Sequence, residues 1–229
     1  MDILEIFLSS VKLIFSLDLF LFEIIILSLK VSFTALVISS FFALILGYLL
    51  ALNEFYLKSL LIIFFNSLMG IPPVVVGLIV YFFLSREGPL GILELLYTPT
   101  AMIIAQIIII FPIVISLSHE IFSLNWKQFK DHFRAFNIPS IGIMLILMRN
   151  SYFVIITILL SGFGRAISEV GAVMIVGGNI DHFTRVMTTA ISLETRMGNL
   201  EYAMALGIVL ISLTMIIYSI VYLLNIRNR

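Results

Sequence analysis

Residues 31–52 run Val-Ser-Phe-Thr-Ala-Leu-Val-Ile-Ser-Ser-Phe-Phe-Ala-Leu-Ile-Leu-Gly-Tyr-Leu-Leu-Ala-Leu without a single charge. About 20 such residues, wound as a helix, match the hydrocarbon thickness of a bilayer. Inside that layer every backbone N–H and C=O needs a partner within the chain, which a helix supplies by itself. Further apolar runs follow at Ser59–Leu84, Thr98–Ser118, from Ser151 onward, and Leu200–Leu224. The chain therefore reads as an all-α polytopic membrane protein with about five transmembrane helices.

The composition agrees. Of the 229 residues, 62% are hydrophobic and 11% charged, and the mean hydropathy is +1.21, outside the range of soluble domains. The formal net charge is zero, so no basic surface points to nucleic acid. There is no cysteine, which excludes disulfides, thiolate metal sites and cysteine nucleophiles. Met1-Asp2-Ile3-Leu4-Glu5 lacks the basic region and cleavage site of a signal peptide. The spans and short connections leave no room for a soluble catalytic domain.

The chain divides into an amphipathic N-terminal helix, residues 1–20, and one transmembrane domain, residues 21–229. Asp2, Glu5, Ser9, Lys12 and Ser16 fall on one stripe of the first segment, so a helix lying in the membrane interface is expected. A sixth span is the competing reading of the same residues. The first firm span is Val31–Leu52, between Lys30 and the pair Glu54 and Lys58. The second is interrupted by Gly70-Ile71-Pro72-Pro73. Two prolines remove backbone donors and clash with the preceding turn, so the helix should kink or break there. Irregular backbone at membrane depth is tolerated only against protein or a wet cavity.

Ser85–Tyr97 reads as a turn-rich loop, and Thr98-Pro99 as an N-cap with proline at the first helical position. Residues 119–150 form the longest polar interval. Within it, Phe129–Pro139 is expected to make a short amphipathic helix closed at Asn137, because Asn tolerates the left-handed conformation. Residues 179–199 form a second polar connection, with a short helix expected across Arg185–Arg196. With five spans, Lys58, Lys127, Lys130, Arg134, Arg149, Arg227 and Arg229 collect on one side, against Lys12, Arg86, Arg185 and Arg196 on the other. The denser set marks the cytoplasmic face, which puts the 119–150 loop and the C-terminus inside.

Gly162–Asn179 places Arg165 and Glu169 in an apolar run. Four residues apart on a helix, they can pair. Ionisable groups at this depth face a bundle interior or a water-filled path. Two readings stand side by side: a structural ion pair tying helices together, or a pathway lining that changes partner as a gate moves. Gly70, Pro72, Pro73, Gly77 and Gly171 join them as the candidate translocation pathway and gate. His119-Glu120 lacks a second histidine at metalloprotease spacing, so no metal site is expected, and no cofactor. His132 and His182 read as solvated loop residues, Trp126 as an interfacial anchor and Gln106 as a helix-contact hydrogen bond.

Four segments carry a family resemblance: Met69–Leu78, Leu96–Gln106, Gly162–Ile180 and Thr184–Thr195. They resemble the permease subunits of type I ABC importers, and within these the tungstate permease branch. The resemblance covers most of the chain from about residue 25 and is thin over Asn125–Tyr152. It implies a permease homodimer in the lipid bilayer of the cytoplasmic membrane. Its implied partners are a separate cytoplasmic ATPase and an extracytoplasmic binding protein that delivers an oxoanion such as tungstate or molybdate. ATP-driven alternating access follows, with a cytoplasmic coupling helix carried here by Arg134, Ala135, Phe136, Asn137, Ile138 and Pro139. Asn137 stands where the family has glycine. No Gly-x-x-x-x-Gly-Lys-Ser/Thr loop occurs in the chain, so ATP hydrolysis falls to another subunit and this one is not an enzyme.

Other classes remain to be weighed. An ion-gradient-driven secondary transporter could use Glu169 as its proton carrier, but such carriers repeat their broken helices in two halves. Here the Pro-Pro and Gly-Gly breaks lie in unlike contexts. An intramembrane enzyme would need a nucleophile–base pair or paired aspartates within the spans, and neither is present. A membrane scaffold would leave buried charges beside helix breaks without a purpose.

Overall fold

The computed structural model describes residues 3–16 and 18–226. Their elements are α1 (Ile3–Phe15), α2 (Leu19–Leu52), α3 (Lys58–Leu68), α4 (Pro73–Leu84), α5 (Pro99–Ala135), α6 (Ser140–Asn150), α7 (Tyr152–Ile167), α8 (Gly171–Gly177), α9 (Met187–Met197) and α10 (Leu200–Ile226), with a 3-10 turn at Gly91–Leu93. Helices α2, α5 and α10 are each long and apolar enough to cross a membrane alone. The pairs α3–α4 and α6–α7 qualify only together, and they are bent by 102° and 78°. Up to five spans result, in an all-α bundle.

The parallel pair α2 and α5 forms the spine. Val31 shares a core cluster with Ala101, Met102 and Ala105. Further along, Gly47 lies so close to α5 that a Cβ there would meet Ser118 and His119. At the same end the Tyr48 hydroxyl donates to the Ser140 carbonyl at 2.7 Å. At 34 and 37 residues, the two helices are about 50–55 Å long against a hydrocarbon layer of about 30 Å. Their ends must project beyond it or the helices must tilt.

These lengths correct two boundaries. The span expected to start at Val31 begins at Leu19, with Asp18 accepting from the Leu21 N–H as its cap. Lys30 and Glu23 are exposed side chains of the helix, not flanks of it. Likewise α5 does not stop near Ser118. Phe122, Trp126, Phe129 and Phe133 repeat at helical spacing, pack in one cluster, and carry the helix on to Ala135. The coupling segment is thus the end of α5 and not a separate short helix, and the rest of the polar interval is α6. Arg227 and Arg229, counted for orientation, lie outside the described residues, as do Met1 and Asp2.

Several local expectations hold. Thr98 Oγ1 accepts from the Ala101 N–H and Pro99 opens α5. The helix expected across Arg185–Arg196 is α9. Helix α1 lies against α10, where the buried Ser10 hydroxyl is within hydrogen-bond distance of the Ile6 and Glu201 carbonyls at 2.7 and 2.8 Å. Glu5, Lys12 and Ser16 remain exposed.

Candidate translocation site and coupling elbow

Two half-helices meet in the bundle. Helix α4 follows the Gly-Ile-Pro-Pro break, with Pro72 as its extended N-cap and Pro73 at its first position. Helix α8 follows the interruption at 168–170 and ends at Gly178, whose φ is +71°. Small residues set how closely they pack. A Cβ on Gly77 would sit 2.7 Å from the Ala172 Cα, and one on Gly171 would sit 2.6 Å from Val74 Cγ2. At Gly77 the obstacle is the Ala172 backbone, and at Gly171 it is the Val74 side chain. Val76, Val80, Ala172, Val173 and Val176 close the contact as one buried cluster.

The candidate residues therefore divide. Gly77, Glu169 and Gly171 come together at the α4–α8 contact, while Pro72 and Pro73 open α4. Gly70 lies apart in the exposed turn, where a Cβ would meet nothing nearer than the Ser67 carbonyl at 3.6 Å. Arg165 is half-buried in the last turn of α7.

The expected Arg165–Glu169 pair does not form. The described residues contain three ion pairs, Lys58–Glu54, His182–Glu23 and Arg185–Asp181. The spacing argument assumed one continuous helix, but α7 ends at Ile167 with Ser168 as its cap. Glu169 turns instead to the next helix, where its Oε1 accepts from the Ala172 N–H at 3.1 Å. A carboxylate there satisfies one of the open donors of α8.

Side chains from three other helices hold this second break. Gln106 of α5 donates to the Ala166 carbonyl at 3.0 Å. Thr188 of α9 donates to the Glu169 carbonyl at 2.7 Å. Ser28 of α2 accepts from the Met187 N–H at 2.8 Å and so fixes the start of α9. Thr188 thereby satisfies a carbonyl that the interruption leaves without a helical partner, and Gln106 adds a second donor to the Ala166 carbonyl, which also accepts from the Glu169 N–H at 3.2 Å. Beyond α8, the Tyr97 N–H donates to the Val176 carbonyl at 2.8 Å, and Thr184 Oγ1 donates to the Gly177 carbonyl at 2.6 Å.

Gln106 was legible as a contact residue, although its partner was not. Thr188 and Ser28 carried no signal, since hydroxyls are common in membrane helices and their partners lie far away in sequence. His182 is an exposed loop residue, as expected, but one bonded through Nδ1 to Glu23 Oε2 at 2.8 Å, and that carboxylate raises its pKa.

At the opposite end the elbow between α5 and α6 is built on Asn137. Its φ is +48°, its N–H donates to the Arg134 carbonyl, and the Ile138 N–H reaches the Phe133 carbonyl, both at 3.1 Å. This paired closure is the Schellman arrangement, in which Asn takes the position glycine usually fills. Ile138 packs with Phe133 in the cluster that completes it. The Trp126 ring stacks on Phe133 with centroids 6.1 Å apart. Pro139 caps α6. Arg134 and Phe136 point outward, fully available to a partner.

Comparison with known proteins decides what this bundle is. Residues 43–229 match the family described as the inner membrane component of binding-protein-dependent transport systems. The chain belongs to that family. It is similar to the tungstate uptake system permease protein TupB of Peptoclostridium acidaminophilum, 39% identical over 223 residues that cover 97% of this chain and 98% of that one. It is 42% identical to a probable anion ABC transporter permease protein of Haloferax volcanii over 86% of this chain and 87% of the other. TupB of Campylobacter jejuni is 41% identical over 159 residues, 69% of this chain and 66% of that protein. The bundle is a transport permease of the multi-pass membrane class.

Proposed function

We propose that this permease carries a tetrahedral oxoanion, tungstate first among them, into the cell. It does so as a homodimer driven by a separate cytoplasmic ATPase and loaded by an extracytoplasmic binding protein. The observation that carries the substrate is the near full-length similarity to a tungstate uptake permease. The α5–α6 elbow, presenting Arg134, Phe136 and Asn137, is the surface for the ATPase and faces the cytoplasm together with the C-terminus. The other end, with the 85–98 and 178–186 connections, receives the binding protein.

In this reading α4 and α8 form one gate body. Their backbones are interlocked through Gly77 and Gly171, so they move together, and the bending falls on residues 69–72 and 168–170. Motion of the elbow reaches them through α5, which carries both the elbow and Gln106. Packed bodies joined by short hinges are the usual means of amplifying a small displacement.

The test is ATPase activity in vesicles holding this chain with its ATPase, with and without binding protein loaded with tungstate or molybdate. Stimulation by the tungstate-loaded protein is expected. A stable complex that neither anion stimulates would discard the substrate. Uptake that follows a proton gradient without ATP would discard the importer.

A further inference from the structure

A cavity of about 370 Å³ with a mixed polar and apolar lining opens between α3 and α5, on the half of the bundle that carries the elbow. Its polar lining is Asn66 from α3 and Ser116, His119, Glu120, Ser123 and Lys127 from α5. Ser116 is only 9% exposed, and its hydroxyl has no hydrogen-bond partner. A buried hydroxyl left open at the wall of such a cavity marks a place for a ligand or water to complete. His119 Nε2 and the Ser123 hydroxyl are 3.2 Å apart, which orients both groups along the wall. Met69, the C-cap of α3, also lines the space. The cavity thus begins where the broken span turns towards the gate body.

The donors along the wall point to the ligand. Lys58, near the start of α3, is held by Glu54 at 2.8 Å. Lys127 has no ion pair among the described residues. The cavity offers an ammonium, an imidazole, two hydroxyls and an amide against one carboxylate, Glu120. Such a donor-rich set suits an anion with several acceptor oxygens, by charge-assisted hydrogen bonds. Glu120 keeps the site weak, and a transport pathway needs weak sites for its cargo to leave.

We infer that this cavity is a low-affinity exit site for a tetrahedral oxoanion, lined by Lys127, His119, Ser116, Ser123 and Asn66. The inference rests on the oxoanion-permease reading and adds a place where the cargo pauses after passing the gate. A lipid phosphate offers the same oxygens at a membrane boundary, so the test has to separate the two sources.

The chain has no cysteine, so Ser116→Cys gives a single thiol inside the cavity. Ser123→Cys supplies a second reporter should the first variant assemble poorly. The complete transporter would be reconstituted in vesicles of zwitterionic lipid, with and without added anionic lipid. The rate of labelling by a small water-soluble thiol reagent is then read against tungstate concentration. Tungstate should slow labelling severalfold in the zwitterionic vesicles. With Lys127→Gln added, half-protection should need roughly tenfold more tungstate, the loss expected for one charge-assisted contact. Labelling slowed by anionic lipid but not by tungstate would overturn the exit site in favour of a headgroup site. Labelling indifferent to both, in a transporter that still takes up tungstate, would overturn the exit site alone. Absence of tungstate uptake by the unaltered transporter would remove the reading beneath it.

Discussion

The two breaks in the bundle are held open by different means. The first, between α3 and α4, is written into the chain. Pro72 and Pro73 end one helix and start the next wherever they stand, and no residue of α3 is buried within the subunit. The second, between α7 and α8, has no proline. It is held by Gln106 and Thr188, which reach in from α5 and α9 to the Ala166 and Glu169 carbonyls, and by the Glu169 carboxylate, which accepts from the Ala172 N–H. A local break moves with its own segment, while a latched break can be felt from α5 and α9. That difference makes the second the better candidate for receiving a signal from the elbow.

Where the two half-helices touch, the contrast between glycines is largest. Gly77→Leu should cost about 3 kcal/mol or prevent folding, because the added atoms would enter the Ala172 backbone. Gly70→Leu should change stability by less than about 0.5 kcal/mol, since nothing crowds that position. Thermal inactivation of the purified permease in detergent measures both, and equal losses would dissolve the distinction. Next in size is Gln106→Leu, which removes the side-chain bond to the Ala166 carbonyl while the Glu169 N–H at 3.2 Å remains, and should cost about 1 kcal/mol. It should also increase the labelling of a Ser168→Cys reporter beside the break. Unchanged labelling would mean that the second break holds itself.

Replacing Pro72 and Pro73 together by alanine should cost less than about 1 kcal/mol, as proline at a first helical position stores no strain. The 102° bend should relax nonetheless. Spin-label distances between the ends of α3 and α4 would show it, and an unchanged distance would place the cause of the bend elsewhere.

The smallest effect belongs to pH. Glu23 raises the pKa of His182, so their tether is complete below the ordinary histidine value of about 6.5 and is lost as pH rises through the raised value. Hydrogen exchange across residues 178–186 should quicken over that window, and Glu23→Gln should remove the pH dependence. The pair is exposed, so only local protection should change.

These differences also explain what the sequence could reveal. The Gly-Ile-Pro-Pro break, the Thr98 cap and the left-handed Asn137 are local, each set by one or two residues acting on their own backbone. The ends of α2 and α5 are less legible, because Lys30 marks a flank only if a charge ends a helix, and an exposed charge is compatible with a projecting one. The Arg165–Glu169 pair failed for the converse reason. Spacing of four promises a shared face only if the helix continues, and its end at Ile167 depends on partners from distant segments. Thr188 and Ser28 could not be found at all without the fold that brings them in.

The account stands on α4 and α8 moving as one body. Val74→Cys with Gly171→Cys tests this directly, since the atom nearest a Cβ on Gly171 is Val74 Cγ2, which the exchange removes, and the Val74 Cα stands 3.7 Å from that Cβ. Tungstate uptake by the reconstituted transporter would be measured before and after oxidation, with cross-linking quantified on the same sample. The account predicts nearly complete cross-linking with uptake retained. Uptake lost on oxidation and restored by reductant would contradict it, and would place the moving gate between the two half-helices instead of at their hinges.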